Sequence, residues 1–249
     1  MDNEWEHWLL EQHDPTWEKN HKSDTKILSA SIFPDIVGFG YRSRMMRWEL
    51  MTGKRKSTDE SNANYHMIRG QIFEFGAIKR FYNQHPEYLP VGQPGSKKSS
   101  EYPWIQASPD HVWIHGDTKE IGLLEVKCPA DLPREPSLDH SSLHIYNWKH
   151  HNDLLVKNEN IKCKYLIQMQ IQMYCMGPSI KNSILYLYTV HSQYTIKVPR
   201  DDEMIQCLLE LGFIFYGQVQ KNEPPSGACY KDHTLCKRLI ELYNSLVFL

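Results

Sequence analysis

The sequence predicts an α/β fold with a mixed central β-sheet flanked by helices, and two observations lead to this prediction. Short apolar runs bounded by turn residues, typical of strands, occupy residues 101–127 and 183–199. Longer stretches with apolar residues at helical spacing precede, separate and follow these runs, a pattern typical of a sheet covered by helices. No repeat or linker interrupts the chain. We therefore predict one domain over residues 1–249. It consists of an N-terminal helical part (1–60), a central core (61–200) and C-terminal helices (201–249).

Helices dominate the predicted N-terminal part. The first 22 residues predict one helix. Residues 29–54, "SASIFPDIVGFGYRSRMMRWELMTGK", predict a short helix, a glycine-containing turn and a second helix that ends near Gly53. The polar stretch 54–64 predicts an exposed loop. A long helix is predicted from about Asn62 to Asn83, and its buried side would be formed by Ile68, Ile72, Phe75, Ala77 and Phe81.

Strands and turns are predicted for the middle of the chain. Residues 90–100, "PVGQPGSKKSS", have the composition of a loop, and residues 129–160 are polar with three prolines, which predicts a long, partly ordered excursion. A helix over 164–176 is expected to end at Gly177 and Pro178. The predicted strands lie at 101–108, 111–115, 121–127, 183–190 and 193–199, followed by helices that begin after Pro199 and over 233–247.

Composition and charge limit the classes of protein. No stretch approaches about 18 uncharged apolar residues, so no membrane span is predicted. The acidic, tryptophan-rich N-terminus lacks the order of a signal peptide, which predicts an intracellular protein of the cytoplasm or nucleus. Six cysteines without a CxxC pair predict free thiols. The net charge of -2 weighs mildly against nucleic-acid binding, although a local basic patch is enough for it.

A charged pair ends an otherwise apolar predicted strand. Glu125 and Lys127 lie two positions apart in "GLLEVKCP" and therefore face the same side of the sheet, whereas Leu124 and Val126 face the core. Burying such a pair is costly unless the charges are partnered or bind an ion. A simple Glu–Lys pair on a half-exposed strand is the competing interpretation.

Asp110 favours an ion-binding interpretation. It follows Ser108 and Pro109 in a turn between two predicted strands, so the chain can fold back and place it beside Glu125. Two carboxylates that converge suit Mg²⁺ or Mn²⁺, which retain several waters. A neighbouring Lys127 can orient or deprotonate a water, or stabilise negative charge on a phosphate. The set predicts metal-assisted phosphodiester hydrolysis.

The spacing from "SPD" to "EVK" resembles the PD-(D/E)xK nuclease pattern, and the flanking segments narrow the resemblance. "SASIFPDIVGFGYRSR", "RGQIFEFGA", "ASPDHVW", "GLLEVKCP" and "YLIQMQIQMY" are similar, in this order from about Ser29 to Tyr174, to the motifs of the YqaJ/lambda-exonuclease-type viral recombinases. The resemblance implies a restriction-endonuclease-like core.

The resemblance also implies roles for individual residues. One or two Mg²⁺ or Mn²⁺ ions would be bound by Asp110, Glu125 and the Val126 carbonyl, with the helical Glu74 close by. Lys127 would position the attacking water, and Gln168 would line the site next to it. A region that contacts the terminal phosphate and backbone of the substrate is matched by Arg42, Ser43 and Arg44. Six basic residues within residues 42–56 agree with this region, although a solvated charged surface is the ordinary interpretation.

For the whole protein, the resemblance implies a processive 5′→3′ exonuclease on double-stranded DNA ends. It would work with a single-strand annealing protein and could form a ring-shaped trimer. The interval between Glu125 and Gln168 is longer than is usual in this family, and the loosely matched arginine region leaves dependence on a 5′-phosphate open. An endonuclease acting on DNA or RNA, a non-catalytic DNA-binding module and a hydrolase of small phosphates remain the alternatives.

Overall fold

The computed structural model describes residues 26–56, 62–129, 163–189, 191–226 and 233–249. The strands are β1 (Leu28–Ser29), β2 (Tyr88–Gly92), β3 (Lys97–Lys98), β4 (Ile105–Ala107), β5 (His111–His115), β6 (Ile121–Lys127), β7 (Asn182–Tyr188), β8 (Gln193–Pro199) and β9 (Val247–Phe248). The α-helices are α1 (Phe33–Ile36), α2 (Arg44–Met51), α3 (Asn62–Gln84), α4 (Cys163–Met176), α5 (Asp202–Lys221) and α6 (His233–Asn244), and a 3₁₀ turn at Ala30–Ile32 precedes α1.

Six strands form the central sheet, in the order β2-β5-β6-β7-β8-β9. Among the described strands of this sheet, β6 and β7 form the one parallel pair, and α4 lies in the crossover between them, as a parallel pair requires. The other four pairs are antiparallel. A second, three-stranded sheet has the order β1-β4-β3. The central sheet is therefore mixed, as the sequence predicts.

Helices cover both faces of the central sheet. On one face, Ala77 and Phe81 of α3 pack against Leu124 and Val126 of β6, together with Trp113. Against the other face, a larger cluster unites apolar residues of α1, α4, α5 and α6 with those of β7 and β8. The alternation within β6 places Leu124 and Val126 under α3 and leaves Glu125 on the α4 side, as expected from a period of two.

Close packing at one cross-strand pair explains a glycine inside β6. Gly122 pairs with Trp113, and a Cβ at position 122 would lie 2.1 Å from the indole ring. The Trp113 Nε1 donates a hydrogen bond to the Leu123 carbonyl at 2.8 Å. The indole thereby lies against β6, the strand that carries Glu125, in the core below α3.

Several predicted elements are confirmed, and the largest error concerns the buried side of α3. This helix has almost the predicted bounds, and Ala77 and Phe81 are buried. Ile68, Ile72 and Phe75 are exposed instead, the last with 79% of its surface accessible. Along the part of α3 whose side chains are described, from position 68 onward, Ala77 and Phe81 in the C-terminal half are the buried residues that pack on the sheet.

Two segments predicted as loop or helix contain strands. Within residues 90–100, the end of β2 and all of β3 are extended; Pro90 is tolerated because β2 is an edge strand, and the register shifts between Pro90 and Gly92. The last helix ends at Asn244 rather than Val247, because residues 247–248 pair with β8 instead. The C-terminal part is therefore not entirely helical. The predicted strand over 101–108 is reduced to β4, since residues 101–104 form a turn.

Some predictions fall outside the described residues: the helix over the first 22 residues, most of the excursion over 129–160 and part of the loop over 54–64. Cys128 and Cys175, which lie within the described residues, are free thiols, as predicted. None of the described helices has the length and apolar character needed to cross a membrane.

Candidate active site

The antiparallel register of β5 and β6 brings two carboxylates together. His111 pairs with Leu124, so Asp110, which immediately precedes β5, reaches the level of Glu125 near the end of β6. The backbone N–H of Val126 donates to the Asp110 Oδ2 at 2.6 Å and fixes this side chain against the strand. The turn predicted at Ser108–Asp110 thus places Asp110 where the sequence analysis expects it.

Glu125 is buried, with 1% of its surface accessible, and it accepts three hydrogen bonds. The Lys127 ammonium and the Gln168 amide, the latter at 2.6 Å, donate to Oε1. The Gln172 amide donates to Oε2, also at 2.6 Å. Each carboxylate oxygen thus has at least one donor, as the burial of a polar group requires. A simple Glu–Lys pair on a half-exposed strand, the competing interpretation, does not account for the burial of Glu125.

Two glutamines of α4 reach Glu125 because residues four positions apart lie on one face of a helix. Apolar residues cover α4 on nearly all sides, so its amides must find partners in the interior. Gln168 and Gln172 find Glu125. Gln170 points elsewhere, donating to the Pro199 carbonyl and accepting from the Asp201 N–H at 2.8 and 2.9 Å. It joins α4 to the turn before α5.

Gln172 was not among the predicted site residues, although its spacing carries a signal. It lies four positions after Gln168, on the helical face that also contains Tyr165. Its side chain is almost fully buried, and its carbonyl oxygen accepts no hydrogen bond from the residues that the structure describes. Only the position of α4 against β6 shows that the second amide bonds to the second oxygen of Glu125.

The electrostatics of the site favour a bound cation. Burial and the charge of Glu125 raise the pKa of Asp110 well above its ordinary value, and Glu74 adds to this rise. Lys127 and the Val126 N–H act in the opposite direction but do not cancel it. Glu74 lies on α3. A hydrogen bond from the Arg69 guanidinium to the Cys128 carbonyl, 2.8 Å long, connects this helix to the residues that follow β6. Three carboxyl groups thus influence one small region.

Lys127 is the cation nearest to these carboxylates. Burial alone would lower the pKa of Lys127, but the charges of Glu125 and Asp110 outweigh burial and raise that pKa above its ordinary value. Its ammonium lies 5.9 Å from the centre of the Tyr165 ring. Burial raises the pKa of Tyr165 to about 12, so this phenol stays neutral. Lys127 is therefore a protonated group at neutral pH.

The donor set can be compared with the needs of a divalent cation. Among the described residues, no three carboxylate, histidine or cysteine side chains converge into a metal site. Asp110 and Glu125 offer hard oxygen atoms from two side chains, and the repulsion that raises the Asp110 pKa is what a cation between them would relieve. Two carboxylates supplemented by water or a backbone oxygen suit Mg²⁺ or Mn²⁺. The residues fit such an ion.

The segment predicted to contact the substrate has three different environments. The Ser43 hydroxyl accepts from the Met46 N–H at 3.1 Å and caps α2. The Arg44 guanidinium is buried against α5, where it donates to the Gln218 Oε1 at 3.1 Å. Arg42 is half-buried on the preceding loop. Of the three side chains, Arg44 has a clear packing role, and contact with a nucleic acid stays a prediction for this segment.

Comparison with known proteins agrees with this geometry. The family model of the YqaJ-like viral recombinase domain matches residues 16–179. The crystal structure of an alkaline exonuclease (LHK-Exo) from Laribacter hongkongensis is similar, with 18% sequence identity, a TM-score of 0.57 and coverage of 84% of this chain and 94% of that chain. The structure of LHK-Exo in complex with dAMP has 19% identity and a TM-score of 0.54, covering 81% and 91%. Among curated proteins, no sequence matches. The similarity of the folds confirms the predicted restriction-endonuclease-like architecture.

Proposed function

This chain belongs to the family of YqaJ-like viral recombinase domains, and on that premise we propose that it is a metal-dependent DNA nuclease. The observation that carries the proposal is the buried Glu125, which shares the end of β6 with Asp110 and Lys127. A buried carboxylate with three donors, beside a second carboxylate of raised pKa, is an expensive arrangement that a purely structural site does not need.

In the proposed reaction, Asp110, Glu125 and the Val126 carbonyl bind one or two Mg²⁺ or Mn²⁺ ions. The bound metal supplies Lewis acidity and an activated water for hydrolysis of a phosphodiester. Lys127 is cationic in this environment, so it orients the water and stabilises negative charge that develops on the phosphate, rather than removing a proton. Glu74 extends the negative surface around the ions.

The two amides of α4 keep Glu125 in position for this chemistry. Gln168 and Gln172 donate to different oxygens and so restrict rotation of the carboxylate. A ligand whose orientation is already restricted loses less freedom when the ion binds. In this proposal Gln168, which is only half-buried, also lines the path of the substrate next to Lys127.

We further propose that the substrate is a double-stranded DNA end, degraded 5′→3′ inside the cell. The similar solved structures support an exonuclease, since they are named as alkaline exonucleases and one is in complex with dAMP, a mononucleotide. In this proposal Arg42, Ser43 and Arg44 form the region next to the terminal phosphate. Family resemblance adds a single-strand annealing partner and a trimer to the proposal.

End-labelled substrates test the polarity and the mode of hydrolysis. Linear duplexes with a 5′-phosphate, a 5′-hydroxyl or hairpin-closed ends are incubated with Mg²⁺, and the products are resolved by length. We expect mononucleotides from the 5′ ends of open duplexes and no products from closed duplexes. Internal fragments from closed duplexes would favour the endonuclease instead, and mononucleotides from the 3′ ends would reverse the polarity.

A further inference from the structure

A line of alternating rings and ammonium groups leads from Lys127 to the surface. The Lys127 ammonium lies 5.9 Å from the centre of the Tyr165 ring. The next cation, Lys164 at the start of α4, has its ammonium 4.9 Å from the same ring. That ammonium lies 3.4 Å from the centre of the Tyr41 ring, on the loop between α1 and α2. The line ends at Tyr41, which is 79% exposed.

The loop that carries Tyr41 is held in place by Asp35. This buried carboxylate accepts a hydrogen bond from the Arg42 N–H at 3.1 Å and forms an ion pair with Arg47. The backbone at Gly40 passes so close that a Cβ there would lie 1.8 Å from the Asp35 Oδ1. Gly40 also donates to the Pro34 carbonyl at 2.8 Å. Tyr41 is thus an exposed ring on a fixed backbone, so ordering it on binding costs little entropy.

The chemistry of this line suits one kind of ligand. A tyrosine ring open to solvent offers a face for stacking, and every nucleobase has a face that can stack on it. The Lys164 ammonium lies over one face of the Tyr41 ring and leaves the other face for a base, and it provides positive charge for the phosphate attached to such a base. A nucleotide supplies both a base for the ring and a phosphate for an ammonium group, whereas a neutral carbohydrate supplies only a partner for the ring.

We propose that Tyr41, held beside Lys164, stacks on the base of the terminal nucleotide of the strand that is hydrolysed. This inference rests on the proposed nuclease function and names a contact that recognises the base rather than the phosphate. Tyr41 is a binding residue in this proposal, and Lys164 contacts the adjoining phosphate. The site therefore senses whether the terminal nucleotide carries a base.

Binding to DNA ends with and without a terminal base tests the proposal. The substrates are hairpin duplexes with one open end. In each pair of substrates, the terminal nucleotide is 2-aminopurine in one member and an abasic residue in the other. One pair is altered at the 5′ terminus and a second pair at the 3′ terminus. Affinity is measured in EDTA, so that no hydrolysis interferes, for the wild type and for Tyr41→Ala. Tyr41→Phe keeps the ring, and Phe213→Ala removes an exposed aromatic side chain from α5 as the matched control.

For the pair altered on the strand that is hydrolysed, the wild type is expected to bind the end with the base about tenfold more tightly than the abasic end, and to quench its fluorescence. The same preference on the other strand alone would overturn the proposal. Tyr41→Ala should reduce this ratio to about one. Tyr41→Phe and Phe213→Ala should preserve it. A wild-type ratio near one in both pairs, or a ratio that survives Tyr41→Ala, would overturn the proposal.

Hydrolysis of the same 2-aminopurine duplexes with Mg²⁺ separates the two proposals. Binding that depends on Tyr41 without any hydrolysis would refute the nuclease function and leave the stacking contact intact. Hydrolysis with equal affinity for both kinds of end would refute the stacking contact alone. Absence of any DNA binding would refute both.

Discussion

Replacing Gln172 by methionine removes one amide donor from Glu125 while keeping an unbranched side chain of similar length. The lost hydrogen bond joins Gln172 Nε2 to Glu125 Oε2 at 2.6 Å, and both side chains are 1% exposed. A hydrogen bond to a buried charge contributes about 1.5–3 kcal/mol to the free energy of unfolding. The Gln172 carbonyl accepts no hydrogen bond from the described residues, so its removal offsets part of that loss. We expect a net destabilisation of about 1–2 kcal/mol.

Urea unfolding in EDTA measures this loss, and Gln168→Met is the matched control. Gln168 donates to the other oxygen of Glu125 at the same distance of 2.6 Å, but it is half-buried, so water can replace its amide. We expect Gln168→Met to lower the free energy of unfolding by less than about 0.5 kcal/mol. Equal losses in both variants, or an unchanged free energy of unfolding for Gln172→Met, would refute the idea that the buried Gln172 hydrogen bond contributes more to stability than the half-buried Gln168 hydrogen bond.

Three further predictions concern Asp110, Arg44 and Arg42. Because burial and Glu125 raise the pKa of Asp110, the metal-free folded protein retains a proton that the unfolded chain has lost, and its stability should fall as pH rises through that raised pKa. Asp110→Asn should abolish this decline, which melting temperatures in EDTA across pH would reveal; an identical decline in the variant would contradict the assignment. Arg44→Met should lower the free energy of unfolding by about 1–3 kcal/mol, because the buried guanidinium bonds to α5. Arg42→Ala should reduce the slope of DNA affinity against salt by about 1, and an unchanged slope would exclude a phosphate contact by Arg42.

The placement of Asp110, Glu125 and Lys127 could be predicted because it depends on local rules. Alternation along one strand determines which side chains share a face, and a tight turn between neighbouring strands limits where Asp110 can go. Both rules operate within fewer than about 20 residues. Ordered motifs along the chain then identified the family, which the match over residues 16–179 confirms.

Contacts between distant segments could not be predicted in the same way. Helical spacing shows that α3 has an apolar side, but not that the sheet contacts this side at Ala77 and Phe81, so the exposure of Ile72 and Phe75 could not be predicted. The pairing of β9 with β8 and the burial of Arg44 on α5 likewise depend on segments far apart in sequence. Nothing in the local pattern around Arg44 distinguishes a packed guanidinium from one that contacts a phosphate.

Hydrolysis of linear duplex DNA by the purified chain tests the central claim most directly. Wild type, Glu125→Ala and Lys127→Ala are incubated with DNA in Mg²⁺, in Mn²⁺ and in EDTA, and circular dichroism verifies that each variant is folded. We predict that the wild type degrades DNA with a divalent cation and not in EDTA, and that each folded variant is slower by at least about 100-fold. Intact DNA with both cations, or a folded Glu125→Ala variant as active as the wild type, would contradict the account.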